Sequence, residues 1–289
     1  MTDPAQHRNR PSPHWQSKLI LLLFLPVTAA WITLEATSML VLHEAVFWQA
    51  IAISTGFAGL VLALRAGTLL AAFTGWLVTA TLYFRTPGWR TALWPLLLLF
   101  LLTFAATRFG RRRKERLGIA EDPHGRSASQ VAANLGVAAL ATIPMAATRV
   151  PLIYPAISRA ALLAALAALA EATADTLSSE LGQVLGGDPW LLSTFRRVPA
   201  GTDGAVSLAG TLAGLAGAAA IALLSAYVLK LSRPEMLLIL AAGSAGLFVD
   251  SLLGATLERR SWLNNDAVNA LSTLAAAAIA ALSYPHLPV

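Results

Sequence analysis

Nine stretches of roughly 20 apolar residues, each closed by charge or by a Pro/Gly cluster, follow one another along the chain. A backbone that crosses hydrocarbon must satisfy its own hydrogen bonds, so such stretches are helices. They run over 19–42, 44–64, 67–84, 91–109, 127–147, 155–182, 205–229, 234–257 and 267–284. The expected fold is all-α, a polytopic transmembrane bundle of about nine helices. Composition agrees, with 56% hydrophobic and only 12% charged residues, against about 25% charged in a soluble domain.

The formal charge of +6 would suggest nucleic acid in a soluble protein; in a membrane chain the positive-inside bias accounts for it. With the N-terminus in the cytoplasm, 15 of the 21 Lys and Arg residues fall on the inner side. The six on the outer side are Arg85, Arg90, Arg149, Arg159, Lys230 and Arg233. The three most polar loops then all face the cytoplasm, and the plasma membrane of a prokaryote is the expected location. There is no cysteine, which excludes disulfides, thiolate metal sites and cysteine nucleophiles. His7, His14, His43, His124 and His286 are scattered without ligand spacing.

Four regions divide the chain: a polar tail over 1–18, read as leading into a retained anchor; apolar helices over 19–109; a basic linker over 110–126; and a helical domain over 127–284 that carries nearly all the intramembrane acids and amides. The linker reads as an anchor against anionic membrane lipids.

The acids within the helices need explaining. A carboxylate at the centre of a spanning helix costs roughly 2.5–3.5 kcal/mol on insertion scales, so several together imply a partner, a metal or a wet cavity. Glu171, Asp175 and Ser179 recur at i+4 and stack on one helix face. Glu180 lies about 140° round from Asp175 and joins them only if the helix unwinds near Gly182 or faces another motif. The loop that follows carries Arg196 and Arg197, then Gly201, Thr202, Gly204 and Ser207, a flexible approach to a helix N-terminus and so an anion site by geometry. The two arginines have a plainer reading as topology signals.

Gly246, Asp250, Gly254 and Glu258 also recur at i+4, the glycines clearing space beside Asp250 for a bulky ligand or for a helix contact. Asn265 and Asp266 follow, Asp266 either capping the last helix or holding nucleotide or metal. Gln130 and Asn134 form an i+4 amide pair that either glues helices or touches ligand. Gly210, Gly214 and Gly217 line one helix face and read as close packing.

Taken in order, QVAANLG (Gln130–Gly136), ADTLSSELG (Ala174–Gly182), STFRRVPAGTDGAVSLAGTLAG (Ser193–Gly214), GLFVDSLLGATLE (Gly246–Glu258) and NNDAVNALST (Asn264–Thr273) resemble the integral membrane family of transmembrane protein 19 and the plant phytyl-phosphate kinase. They are more distantly similar to the CTP-dependent phytol and dolichol kinases. The resemblance covers roughly 125–275. It implies transfer of a phosphoryl group from a nucleoside triphosphate, CTP, to a prenyl monophosphate, with a prenyl lipid as substrate; magnesium is the cofactor expected from the acids themselves.

Carried over by position, Asp175, Glu180, Asp250 and Arg196 are the implied catalytic residues; from their own chemistry Asp175 and Asp250 are expected to hold the metal. Thr202, Gly204, Asn265 and Asp266 are the implied nucleotide-side residues, and Arg197, Gly201, Gln130 and Asn134 are expected beside them from the loop and the amide pair described above. The chain departs from the family pattern at Asp203 and Ala205. The prenyl tail is expected among the Ala- and Gly-rich helices. The competing readings are a lipid-phosphate binder or transporter without catalysis, and a prenol kinase acting on the alcohol.

Overall fold

The computed structural model describes residues 13–41, 45–120, 124–145 and 155–287. The tail with His7, Arg8 and Arg10, together with His43 and Arg149, lies outside them. Among the described residues nine helices of 14 to 31 residues answer the nine expected spans: α1 (His14–Val41), α2 (Ala45–Ala63), α3 (Leu69–Arg85), α4 (Leu93–Arg108), α6 (Ala128–Ala141), α7 (Pro155–Leu185), α8 (Leu208–Leu229), α9 (Arg233–Leu253) and α10 (Asn265–Ser283). A short α5 (Arg111–Leu117) falls within the expected linker.

Among the described residues seven helical segments are long and apolar enough to cross a membrane. A bend of 60° between α4 and α5 makes that pair an eighth candidate, and α3 is a shorter apolar helix of 17 residues.

Two boundaries matter for function. The seventh expected span starts at Leu208 rather than 205, because Ala205–Val206 is a strand, β3, and Ser207 caps the helix by accepting from Gly210 N. The sixth helix runs on to Leu185, so the chain does not unwind at Gly182.

α7 is the central post, packed against α4, α6, α8, α9 and α10. Every residue from Ala161 to Ala174 is buried, as expected of a helix that is apolar all round. Alanine on α7 meets glycine on α8: a Cβ at Gly214 would stand 2.8 Å from Ala174 O and one at Gly210 2.6 Å from Ser178 O. The expected glycine stripe is therefore a packing face, and the two backbones approach closely along it. Large apolar side chains such as Leu22, Trp48, Leu212 and Leu223 are exposed on the outside of the bundle, the surface a lipid environment requires.

Polar contacts fix the two ends. At one end Glu35 pairs with Arg85, whose guanidinium lies 5.2 Å from the Trp31 ring centroid. Arg159 donates to both oxygens of Glu235, at 2.5 and 2.8 Å. At the other end, Gln16 donates to Trp262 O and accepts from Asn264 N, both at 2.8 Å, joining the start of α1 to the start of α10. Thr68 N donates to Arg126 O and Arg126 N to Ala66 O, joining the α2–α3 turn to the approach to α6.

Candidate functional site

A polar pocket of about 300 Å³ opens at this second end. It lies where α7 and α9 finish and α6, α8 and α10 begin, roofed by the loop after α7. Three helix N-termini therefore bring the positive ends of their dipoles to one space. The carboxyl side chains of Asp175, Glu180, Asp203, Asp250 and Glu258 line it, and among the described residues Arg126 is the one basic residue that does.

Asp175 on α7 and Asp250 on α9 both line the pocket, close enough for their carboxyls to affect each other. Ser179 Oγ donates to Asp175 Oδ1 at 3.5 Å, and Ser272 Oγ donates to Asp250 Oδ2 at 3.3 Å. Glu171, one turn below Asp175, is 1% exposed, and its Oε1 has no hydrogen-bond partner. Three acids share this corner, and an orphaned carboxylate oxygen deep in a protein calls for a proton or a cation.

Among the described residues no group of three His, Cys, Asp or Glu side chains is arranged to enclose a metal by itself. The facing aspartates nevertheless fit magnesium, which is commonly held by one or two carboxylates with phosphate oxygens and water completing its shell.

Glu180 reaches the same pocket by a route the helical wheel did not suggest. The end of α7 stands in the pocket with several faces turned to it, since Ser178, Ser179, Glu180, Gly182 and Gln183 all line it. Glu180 pairs with Lys114 of α5 and accepts from Thr107 Oγ1 at 3.3 Å. Lys114 is 1% exposed, so this part of the basic linker is an internal strut rather than a headgroup anchor. The sequence offered one signal for it, a lysine set among arginines in a chain with three lysines.

The loop after α7 is ordered by a small antiparallel sheet in the order β2-β1-β3, with β1 at Trp190–Leu191, β2 at Arg196–Arg197 and β3 at Ala205–Val206. Gly201, Thr202 and Gly204 line the pocket as expected. Gly204 has φ +67°, and a Cβ there would lie 1.9 Å from Ala255 N, so only glycine lets the loop dock on the end of α9.

That end is a π-helical turn, Gly254–Glu258, a feature frequent at functional sites; it delivers Glu258 to the pocket. Asp203 stands on the rim. Loss of water around its carboxyl pushes its pKa up from the ordinary aspartate value, an effect that Arg259 opposes.

Three expected site residues lie elsewhere. Arg196 and Arg197 do not line the pocket. β1 separates their strand from the pocket-side β3, leaving both exposed. Arg197 donates to Asp188 O at 3.2 Å and stacks on Trp190. Asp266 is buried in the first turn of α10 and does not reach the pocket; the cap is Asn264, which accepts from Ala267 N at 2.9 Å.

Asn265, Gln130 and Asn134 do line the pocket. Gln130 also closes a capping box at the start of α6, its Oε1 accepting from Ser127 N at 2.7 Å. The glycines around Asp250 hold protein rather than ligand, since a Cβ at Gly246 would meet Glu171 Cγ at 2.5 Å and Gly254 packs on Gly204.

Several known proteins are similar in sequence to this chain. An uncharacterized membrane protein of Synechocystis is 35% identical over 196 residues, 67% of this chain and 73% of the relative. One from Methanocaldococcus jannaschii is 44% identical over 124 residues, 43% of this chain and 52% of the relative. Protein VTE6, chloroplastic, of Arabidopsis thaliana is 31% identical over 176 residues, 60% of this chain and 52% of the relative. The chain thus spans about half the length of the latter two. No solved structure matches it. The integral membrane protein DUF92 profile matches residues 51–277, a stretch that holds α3 to α9 and every pocket residue named above, and the chain belongs to that family.

Proposed function

We propose that the protein is a membrane prenyl-phosphate kinase that transfers the terminal phosphoryl group of a nucleoside triphosphate, CTP, to a prenyl monophosphate such as phytyl phosphate. The facing Asp175 and Asp250, with the unpartnered Glu171 Oε1 beneath them, carry this reading. Five carboxyl side chains and one arginine make a poor site for a bare polyanion and a good one for a polyphosphate that arrives with its cation. Asp175 and Asp250 would hold magnesium, whose chemistry there is to neutralise charge on the phosphates.

The chain's own groups do the remaining work of positioning. The N–H groups around Thr202–Gly204 and the starts of α8 and α10 offer donors to phosphate oxygens. Arg126 offers a fixed guanidinium, and Gln130, Asn134 and Asn265 offer amides for the nucleotide. An oxygen of the lipid phosphate attacks the terminal phosphorus, the bond to the bridging oxygen breaks, and the nucleoside diphosphate leaves. A monophosphate has its second pKa near 6, so at neutral pH it needs no strong general base. The pocket sits at one end of the bundle, whereas a transporter would place its site near the midplane. The positive-inside count supports a cytoplasmic position for that end.

The direct test incubates purified protein with magnesium, γ-labelled CTP or ATP, and either a prenol or a prenyl monophosphate. Label is expected in a lipid diphosphate, and is expected to vanish in Asp175→Asn and Asp250→Asn variants that remain folded. Label in a monophosphate would make the enzyme a prenol kinase. No transfer from any pairing would sink the kinase reading.

A further inference from the structure

Beside the polar pocket lies a second cavity, of about 280 Å³, formed by α2, α3, α4 and α6. Its depth is apolar, with Phe57, Leu99, Thr103 and Leu135 on the walls. Its mouth is basic: Arg65, Arg108, Arg111, Lys114 and Arg126 line it, and among the described residues no Asp or Glu does. Two of these cations are paired, Arg111 with Glu115 and Lys114 with Glu180. Arg108 lies over the Phe104 ring, 3.5 Å from its centroid, and donates to Leu64 O at 2.9 Å. Among the described residues no carboxylate forms an ion pair with Arg65 or Arg108.

Arg126 belongs to both cavities. Its backbone is clipped to the α2–α3 turn by the two hydrogen bonds given above, and Nη2 donates to Thr176 Oγ1 at 3.4 Å. The wall between an acid-lined pocket and a base-lined cavity is thus an arginine held in place.

We propose that this second cavity binds a single-chain lipid monophosphate. The chain lies along Phe57, Leu99, Thr103 and Leu135, and the phosphate sits at Arg65, Arg108 and Arg126 against the shared wall. An apolar depth rejects a free anion, and a mouth lined by arginines gives an uncharged lipid nothing to pair with. The size, about 280 Å³ and so just under the roughly 300–1,000 Å³ typical of ligand sites, takes one chain rather than two. The naming of this lipid as the phosphoryl acceptor rests on the kinase reading; the binding does not. The Ala- and Gly-rich helices, where the sequence suggested the tail would lie, pack backbone to backbone around α7, and the apolar half of the chain gains a function instead.

The chain has no cysteine, so one introduced thiol reports on the cavity. Thr103→Cys replaces a buried wall residue with a near isostere, and Ser193→Cys, on the exposed loop, serves as reference. Alkylation of each full-length variant by N-ethylmaleimide in detergent is timed with farnesyl monophosphate, farnesol, inorganic phosphate or phosphatidic acid.

Farnesyl monophosphate is expected to slow labelling at Thr103→Cys and leave Ser193→Cys unchanged. Adding Arg65→Gln should weaken the protecting affinity by about tenfold, the loss of one charge-assisted hydrogen bond. No protection by the monophosphate overturns the proposal. So does equal protection by farnesol, by inorganic phosphate alone, or by the two-chain lipid. If Thr103→Cys does not purify as a single species, Val131→Cys on the facing wall reads the same cavity. Protection without labelled transfer sinks the kinase reading alone, and transfer without protection sinks the cavity assignment alone.

Discussion

The ammonium of Lys114 has three donors, and the structure uses all three: Glu180, Ala106 O at 2.9 Å and Thr107 O at 3.2 Å. A charge so enclosed is tolerable only while its partners remain. Lys114→Met leaves Glu180 facing the pocket without its counter-ion and is expected to lower stability by about 3 kcal/mol, measured by denaturant unfolding in micelles. A Lys114→Met, Glu180→Leu double variant should regain much of that loss, since burying neither charge is often no worse than burying both.

The arginines divide in a comparable way. Arg126→Gln removes the basic group of the pocket and is expected to cost on the order of 100-fold in kcat/KM, as for loss of one fixed donor to developing charge. Arg196→Gln, on the outer edge of its sheet, should change activity less than about twofold, because exposed charges away from a site contribute little. Equal losses in the two variants would return Arg196 to the site. Asp175 and Asp250 were legible in the sequence because a buried acid at helical spacing has few innocent explanations. Arg126 was not, because nothing local distinguishes it from the other basic residues of its segment.

At the scale of elements, the helices could be read because hydrocarbon leaves the backbone few alternatives, and each expected span has its helix. What could not be read is what joins them. The order β2-β1-β3 arises from pairings across the loop, Leu191 with Arg196 on one side and with Ala205 on the other. No periodicity in the strands announces which edge faces the pocket. The π turn at Gly254–Glu258 is equally silent, since the i+4 spacing of Asp250, Gly254 and Glu258 describes an ordinary helix just as well.

Gly204 is where loop and turn meet. Gly204→Ala places a methyl group against the Ala255 backbone and forces a left-handed conformation that costs an L-residue roughly 1–2 kcal/mol. The loop is expected to lift from α9, with activity lost, faster proteolysis between 186 and 207, and helix content by circular dichroism unchanged. Retained activity would show that the loop does not form the phosphate side of the site.

On the scale of the whole molecule, the contacts at the pocket end fix an orientation for each helix. α1, α3, α6, α8 and α10 begin there, while α2, α4, α7 and α9 finish there. Strict alternation over nine helices makes α3 a crossing element despite its 17 residues, because it starts beside Arg126 and ends with Arg85 paired to Glu35 at the far end. The hydrogen bonds of Gln16 to the start of α10 place the beginning of α1 beside the pocket.

Orientation in the membrane then reduces to one question, which side the pocket end faces, and the positive-inside bias predicts the cytoplasm. Single cysteines at Ser193 and Arg260 mark that end, and at Arg90 and Arg233 the opposite one; replacing an arginine on the outer side strengthens the charge bias rather than weakening it. A membrane-impermeant maleimide applied to intact cells is expected to label Arg90→Cys and Arg233→Cys only. In inverted vesicles it should label Ser193→Cys and Arg260→Cys instead. The reversed pattern would put the pocket outside, away from cytosolic nucleoside triphosphates, and a kinase with its donor site there would have no phosphoryl source.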